Sequence, residues 1–171
     1  QWSFDYRPVD DLVNALATHS ASPLAMNNQT LERLDRIASA LPETLTEEDI
    51  ERIGFLSQQG LPVPIADDLA DTLKGYLRYR QALADSAQAT VSGSRPVAAR
   101  SRFERSVALQ NRYLSDARAE QLFGQQRRLQ RYLIERQAIR ANPALSPVQR
   151  QQALDQASEE FNPGSGPENR R

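Results

Sequence analysis

Residues 97–142 contain no proline and a single glycine, Gly124. A run of that length without chain breakers reads as helix, because strands in globular proteins average only five or six residues and carry alternating apolar positions. Its apolar content is thin: 13 of the 48 residues from 95 to 142 are Val, Leu, Ile, Phe or Tyr. A globular helix shows three to four apolar residues per two turns. The stripe here is that wide or narrower, and arginine and glutamine occupy the other faces. Such helices cover one neighbour rather than several. The heptad spacing is not sustained, so the pattern predicts helices laid along a partner rather than a long coiled coil. Phe103, Val107, Tyr113 and Leu114 make one stripe. Leu122, Phe123, Leu129 and Leu133, flanked by Tyr132 and Ile134, make a second. The break between them is predicted at Ser115–Asp116, with the serine as cap.

The rest of the chain is punctuated as short helices. An aromatic cluster, Trp2, Phe4 and Tyr6, precedes Pro8, which suits a first helical position, and Val9 to Leu16 form a short helix. Residues 18–29 read as a loop. Leu31, Leu34, Ile37, Ala38 and Leu41 share a helical face that Pro42 stops. Thr46 followed by Glu47, Glu48 and Asp49 is a hydroxyl cap with acids on the positive end of the helix dipole. That helix runs to Gln59, with Ile50, Ile53 and Leu56 inward and Gly60 at its end. Pro62 and Pro64 predict a stiff turn. Asp67 or Asp68 then opens a longer helix burying Leu69, Leu73, Tyr76, Leu77 and Leu83. It dissolves in Ala87–Ser94 before Pro96. Asn142-Pro143 closes the breaker-free run, and Ser146-Pro147-Val148-Gln149 starts a last helix to Glu160, with a capping-box glutamine. Strand signals are absent. The expected fold is all-α: an extended, non-compact arrangement of six to seven helices. Its divisions are 1–85, a small helical domain ending in a long helix; 86–96, a hinge; 97–161, an extended helical domain; and 162–171, a flexible tail.

Charge and composition exclude several functions. The net charge of −1 conceals a segregation: residues 1–94 carry 7 basic and 14 acidic side chains, residues 95–140 carry 11 and 4. All 11 bases of the second segment are arginine. Without cysteine there is no disulfide framework and no thiolate metal site. His19, the only histidine, lies in a Ser/Thr/Ala stretch with no nucleophile elbow and reads as an exposed loop residue. The acidic run Glu47-Glu48-Asp49-Glu51 is explained by a helix's first turn, so no metal is expected. Ser92-Gly93-Ser94 lacks the strand and lysine of a phosphate loop. No catalytic residue, cofactor or enzyme activity is expected. The arginine segment, with Phe103, Tyr113, Phe123 and Tyr132, suggests nucleic acid at first sight. Its arginines are scattered over all faces with no accompanying motif, and a protein-binding face fits them better. No stretch approaches the roughly 18 apolar residues of a membrane span. Gln1 is not a natural start, which leaves room for an upstream signal or anchor.

Three stretches, in order, resemble the lipase-specific foldases, the steric chaperones of bacterial secreted lipases. The family signature is Arg-x-x-Phe-Asp-Tyr-x-Leu-Ser-x-x-Gly-Glu. Residues 31–43 match it at Asp35, Ser39 and Glu43, with Leu31, Leu34, Arg36, Ala38 and Pro42 standing in for its arginine, phenylalanine, tyrosine, leucine and glycine. Phe4-Asp5-Tyr6 lacks the serine and glutamate that should follow. Tyr76-Leu77-Arg78-Tyr79-Arg80-Gln81-Ala82-Leu83 is similar to the family's Tyr-Leu-x-Tyr-Arg-x-Ala-Leu helix. Arg112, Leu122-Phe123-Gly124-Gln125 and Leu145-Ser146-Pro147 are similar to its extended segment with a Phe-Gly turn. The resemblance implies two helical mini-domains joined by an extended helical domain, together clasping the lipase. It implies no ATP, an inner-membrane anchor and a periplasmic location. This chain would supply the first mini-domain and much of the extended part, with the anchor outside it and no counterpart of the second mini-domain after Phe161. The client-binding candidates are Asp35, Ser39, Glu43, Tyr76, Tyr79, Arg80, Arg112, Phe123, Arg127 and Arg131. The expected partner is a secreted lipase or other hydrolase; the alternative is a helical scaffold or adaptor for a different protein.

Overall fold

The computed structural model describes residues 4–18, 26–59, 61–87 and 95–162. Among these the fold is all-α, with seven helices: α1 (Arg7–Thr18), α2 (Asn28–Ala40), α3 (Glu47–Ser57), α4 (Val63–Ala87), α5 (Arg95–Leu114), α6 (Asp116–Ala141) and α7 (Pro147–Phe161). Trp2, His19, Gly60 and the stretches 88–94 and 163–171 lie outside the described residues. The helices form two compact units. Unit 1 takes the chain up to Ala89 together with Ala108–Phe123; unit 2 takes Thr90–Val107 with Gly124–Arg171. Helices α5 and α6 therefore each contribute to both.

Unit 1 holds the main core. Val9, Val13 and Leu16 of α1, at i, i+4 and i+7, join Leu34 and Ile37 of α2 and Ile50 and Ile53 of α3. Leu69, Leu73, Tyr76 and Leu77 of α4 continue it to Leu114, Leu122 and Phe123. Helix α3 begins as the sequence predicts. The Thr46 hydroxyl accepts from the Asp49 amide at 3.1 Å, and Asp49 accepts from the Thr46 amide at 3.2 Å. On the outer side of α3, Arg78 of α4 donates to both Glu47 and Glu51, and Lys74 donates to Glu51 at 3.2 Å. Arg78 first, then Lys74, holds the Glu51 carboxyl below the usual carboxylate range.

Helix starts differ from the sequence expectation at α2, α4 and α5, the last beginning at Arg95 inside the predicted hinge 86–96. Helix α2 begins at Asn28, inside the stretch 18–29 read as loop, because the Asn27 side chain caps it by accepting from the Thr30 amide at 3.1 Å. Helix α4 begins at Val63, not at Asp67 or Asp68. Pro64 is its second residue rather than part of a stiff turn, and first-turn amides have no intrahelical partner to lose. The Pro62 carbonyl instead accepts from the amides of Ile65 (3.0 Å) and Ala66 (2.9 Å).

The chain breaks between α5 and α6 at Ser115, as expected; the serine holds the N-cap place, its carbonyl accepting from the Ala119 amide at 2.9 Å, but without the usual cap backbone. Its φ of 67° is left-handed, whereas N-cap residues are extended. Serine at that φ carries a Cβ–carbonyl repulsion that glycine lacks, costing roughly 1–2 kcal/mol. Ser115→Gly is expected to raise the unfolding free energy by about 0.5–1 kcal/mol, the gain being reduced by the greater freedom of glycine in the unfolded chain. Ser115→Val should lower it. Urea midpoints of the two variants check the signs.

Unit 2 is built from parts of α5 and α6 with α7. Ser146 and Gln149 form the predicted reciprocal cap, at 3.2 and 3.0 Å, with Pro147 in the first turn. Arg150 donates to the carbonyls of Asn142 (3.2 Å) and Leu145 (3.1 Å), so a side chain of α7 serves the corner that follows α6. Tyr132 of α6 stacks on Phe161 of α7 with centroids 4.5 Å apart. Leu129 and Leu133, expected on a buried stripe, are 44% and 51% exposed. Packing against α7 draws on Tyr132, while Leu133 and Ile134 both line an open cleft with Phe103. A stripe this narrow leaves the two leucines at the margin.

Candidate functional site

The sequence candidates converge where α2 and α4 of unit 1 meet. Tyr76 and Arg80 are one turn apart on α4, and both reach Asp35 of α2. The Tyr76 hydroxyl donates to Asp35 Oδ1 at 2.5 Å, and Arg80 Nη1 donates to the same oxygen at 2.9 Å. Tyr76 is buried, whereas the Arg80 and Asp35 side chains are 45% and 46% exposed. The ion pair is therefore screened, contributing at most about 1 kcal/mol. The bond from the buried phenol to an ionised acceptor is the stronger contact.

Burial first, and then the hydrogen bond to Asp35, push the Tyr76 hydroxyl well above its ordinary value near 10. Burial, with Asp10 adding to it, pushes Tyr6 up to about 12. A raised folded-state value means the folded chain keeps protons that the unfolded chain releases. The stabilisation is whole below pH 10 and is lost as pH climbs from there towards the folded-state values. Stability measured in urea is expected to decline above pH 10, and less steeply in Tyr76→Phe.

Around Tyr76 the aromatic candidates form a core rather than a surface. Its ring stacks on Phe123 at 6.4 Å and 11°, and Tyr79 meets Phe123 edge-on at 5.5 Å and 67°. Gln110 of α5 donates to the Tyr79 hydroxyl at 3.2 Å. Tyr76, Tyr79 and Phe123 are all buried, so they support the surface that carries Asp35 and Arg80.

Beside this cluster lies a half-open groove of about 520 Å³. Ala38 and Ser39 of α2 and the connection Leu41, Pro42, Glu43 and Leu45 form one wall; Leu77, Arg80, Gln81 and Ala84 form the other. The last four fall on one face of α4, at i, i+3, i+4 and i+7. Ser39 and Glu43 are exposed at its rim. Gln81 Nε2 donates to the Leu45 carbonyl at 3.1 Å and ties the two walls together. Gln81 is absent from the sequence candidates, because a glutamine flanking an apolar stripe looks like any solvated position.

The remaining candidates lie elsewhere. Arg112, at the end of α5, is exposed with its guanidinium 5.5 Å from the centre of the Tyr113 ring. Arg127 and Arg131 belong to unit 2. Arg127 is buried; Arg131 is exposed and lines a recess of about 240 Å³ with Arg128, Tyr132, Glu135, Ala157, Glu160 and Phe161. No helix among the described residues is long and apolar enough to cross a membrane.

The profile of the proteobacterial lipase chaperone protein family matches residues 72–171. Seven of the ten candidates fall inside that match, from Tyr76 to Arg131, whereas Asp35, Ser39 and Glu43 precede it. Over 147 residues the chain is 28% identical to a lipase chaperone of Acinetobacter baylyi, an alignment taking in 85% of this chain and 43% of that relative. The chain thus spans less than half the length of the curated relative it matches. No solved structure matches it significantly. With more than half of its residues matched by the family profile, the chain belongs to the proteobacterial lipase chaperone family.

Proposed function

We propose that this chain binds a secreted lipase and promotes its folding to the active state as a steric chaperone, without catalytic residues, cofactor or ATP. One observation supports this most: the groove of unit 1 brings Ser39 and Glu43 together with Arg80, from two stretches some 40 positions apart that independently resemble the foldases. A surface of that kind suits a protein client. Its apolar floor of Leu41, Leu45 and Leu77 is rimmed by polar side chains, and arginine is a residue type that anchors interfaces. The thin helices α5 and α6, with their exposed leucines and arginines, extend the contact in unit 2. The site of action is the periplasmic side of the inner membrane, with the anchor outside this chain; nucleic acid is not the partner.

The test is refolding. A denatured secreted lipase from the same genome is diluted into buffer with and without this chain, and recovered hydrolysis is compared. Recovery is expected to rise several-fold, with a stoichiometric complex on a sizing column. A complex without recovered activity would point to an adaptor instead. Absence of both complex and recovered activity would refute the proposal.

A further inference from the structure

The groove is held at a fixed width by two polar ties, both donated from α4. At one end the Tyr76 hydroxyl reaches Asp35 of α2, one turn before Ala38 and Ser39. At the other, Gln81 reaches the Leu45 carbonyl at the end of the α2–α3 connection. Between them the facing residues Ala38, Pro42 and Ala84 are too small to fill the space, which is why about 520 Å³ stays open. Apolar contact across this gap would close it, since unfilled space forfeits dispersion energy on both sides. The two hydrogen bonds therefore act beside the buried core shared by α2 and α4 in keeping this spacing. A wall already in its binding position loses less freedom when a partner docks.

We propose that Tyr76 and Gln81 are positioning residues for client binding, holding the α2 wall and the Leu41–Leu45 connection in the geometry that receives the lipase. This rests on the reading of the groove as the client's seat. The Tyr76 ring also packs on Tyr79 and Phe123, so its hydroxyl is aimed by the core and not by the surface. Gln81 keeps its side chain in the groove wall and takes a backbone carbonyl as acceptor, so its tie does not depend on the identity of residue 45.

The experiment uses the full chain and the secreted lipase of the same genome, with dissociation constants measured by titration. Gln81→Met keeps the volume and removes the donor; Tyr76→Phe keeps the ring and removes the hydroxyl. Each is expected to leave helix content unchanged, shift the melting temperature by about 2–4 °C or less, and weaken the complex about tenfold. In the free chain, amide exchange across residues 41–46 should quicken in Gln81→Met. Gln81→Lys, which restores a donor, should recover most of the affinity. Ala84→Leu serves as the separate control, because it fills the groove from an exposed position. If Ala84→Leu binds like the native chain, the groove is not the seat and the positioning role falls with it; if the native chain itself forms no complex, the functional reading fails. If Ala84→Leu abolishes binding while Gln81→Met and Tyr76→Phe bind like the native chain, the seat stands and the positioning role is overturned.

Discussion

Tyr76→Ala is expected to lower the unfolding free energy of unit 1 by about 4 kcal/mol, the middle of the range for truncating a buried aromatic side chain. Three losses coincide. The ring leaves a cavity among α2, α4 and α6, for Tyr76 is 2% exposed and stacked on Phe123. Its tilted contact with Tyr79 goes too, at 5.9 Å between centroids. Asp35 keeps Arg80 but loses its buried donor. Tyr76→Phe removes only the last of these and should cost about 1 kcal/mol, because Asp35 is half-exposed and water replaces the phenol. Guanidinium unfolding of the pair separates the ring from the hydroxyl. A Tyr76→Ala loss no larger than that of Tyr76→Phe would contradict the packing described here.

The two described glycines of unit 1 helices should respond with different outcomes to the same substitution. A Cβ on Gly75 would lie 2.4 Å from the Tyr113 carbonyl oxygen and 3.1 Å from Leu114 Cδ2. The obstacle is mainly backbone, so α4 and the end of α5 must separate. Gly75→Ala gains about 1 kcal/mol of helix propensity and loses roughly 3 by overpacking, for a net loss of about 2 kcal/mol. A Cβ on Gly54 would instead meet Lys74 Cδ at 2.6 Å and Cγ at 2.8 Å. That side chain can change rotamer, at the expense of its exposed pair with Glu51. Gly54→Ala should therefore stay within about 0.5 kcal/mol of the native chain. Thermal melts of both variants check the contrast, and equal losses would show that the α4–α5 approach is looser than described.

How far the sequence carried the fold depended on whether a signal was local. Thr46 with Asp49, and Ser146-Pro147 with Gln149, are caps whose donors and acceptors lie within four residues, and the structure has both as read. Asn27 is equally local, yet its cap was hidden by a polar stretch that resembles a loop. Pro64 misled because a proline in the first helical turn and a proline in a turn look alike without knowing what lies after it. Leu129 and Leu133 were assigned by period alone, and period does not say which neighbour claims a stripe. The candidate site was legible only in its parts. Ser39, Glu43 and Arg80 each came from resemblance, but their meeting in one groove, with Asp35 bonded to Arg80 beside it, is a product of how α2 folds onto α4. Tyr76, Tyr79 and Phe123, taken from the same resemblance, are buried in the core beside that groove, which no local signal in the sequence announces.

The claim that a lipase docks on the α2–α4 groove is tested most directly by site-specific photocrosslinking. A photoreactive residue is placed in turn at Ser39, Glu43, Ala84 and, as an exposed control in unit 2, Val148. Irradiation with the refolding lipase is expected to give a crosslinked product from the three groove positions, and the product should be lost when Ala84→Leu fills the groove in the Ser39-labelled chain. Crosslinks confined to Val148, with none from Ser39, Glu43 or Ala84, would place the client elsewhere and contradict the account.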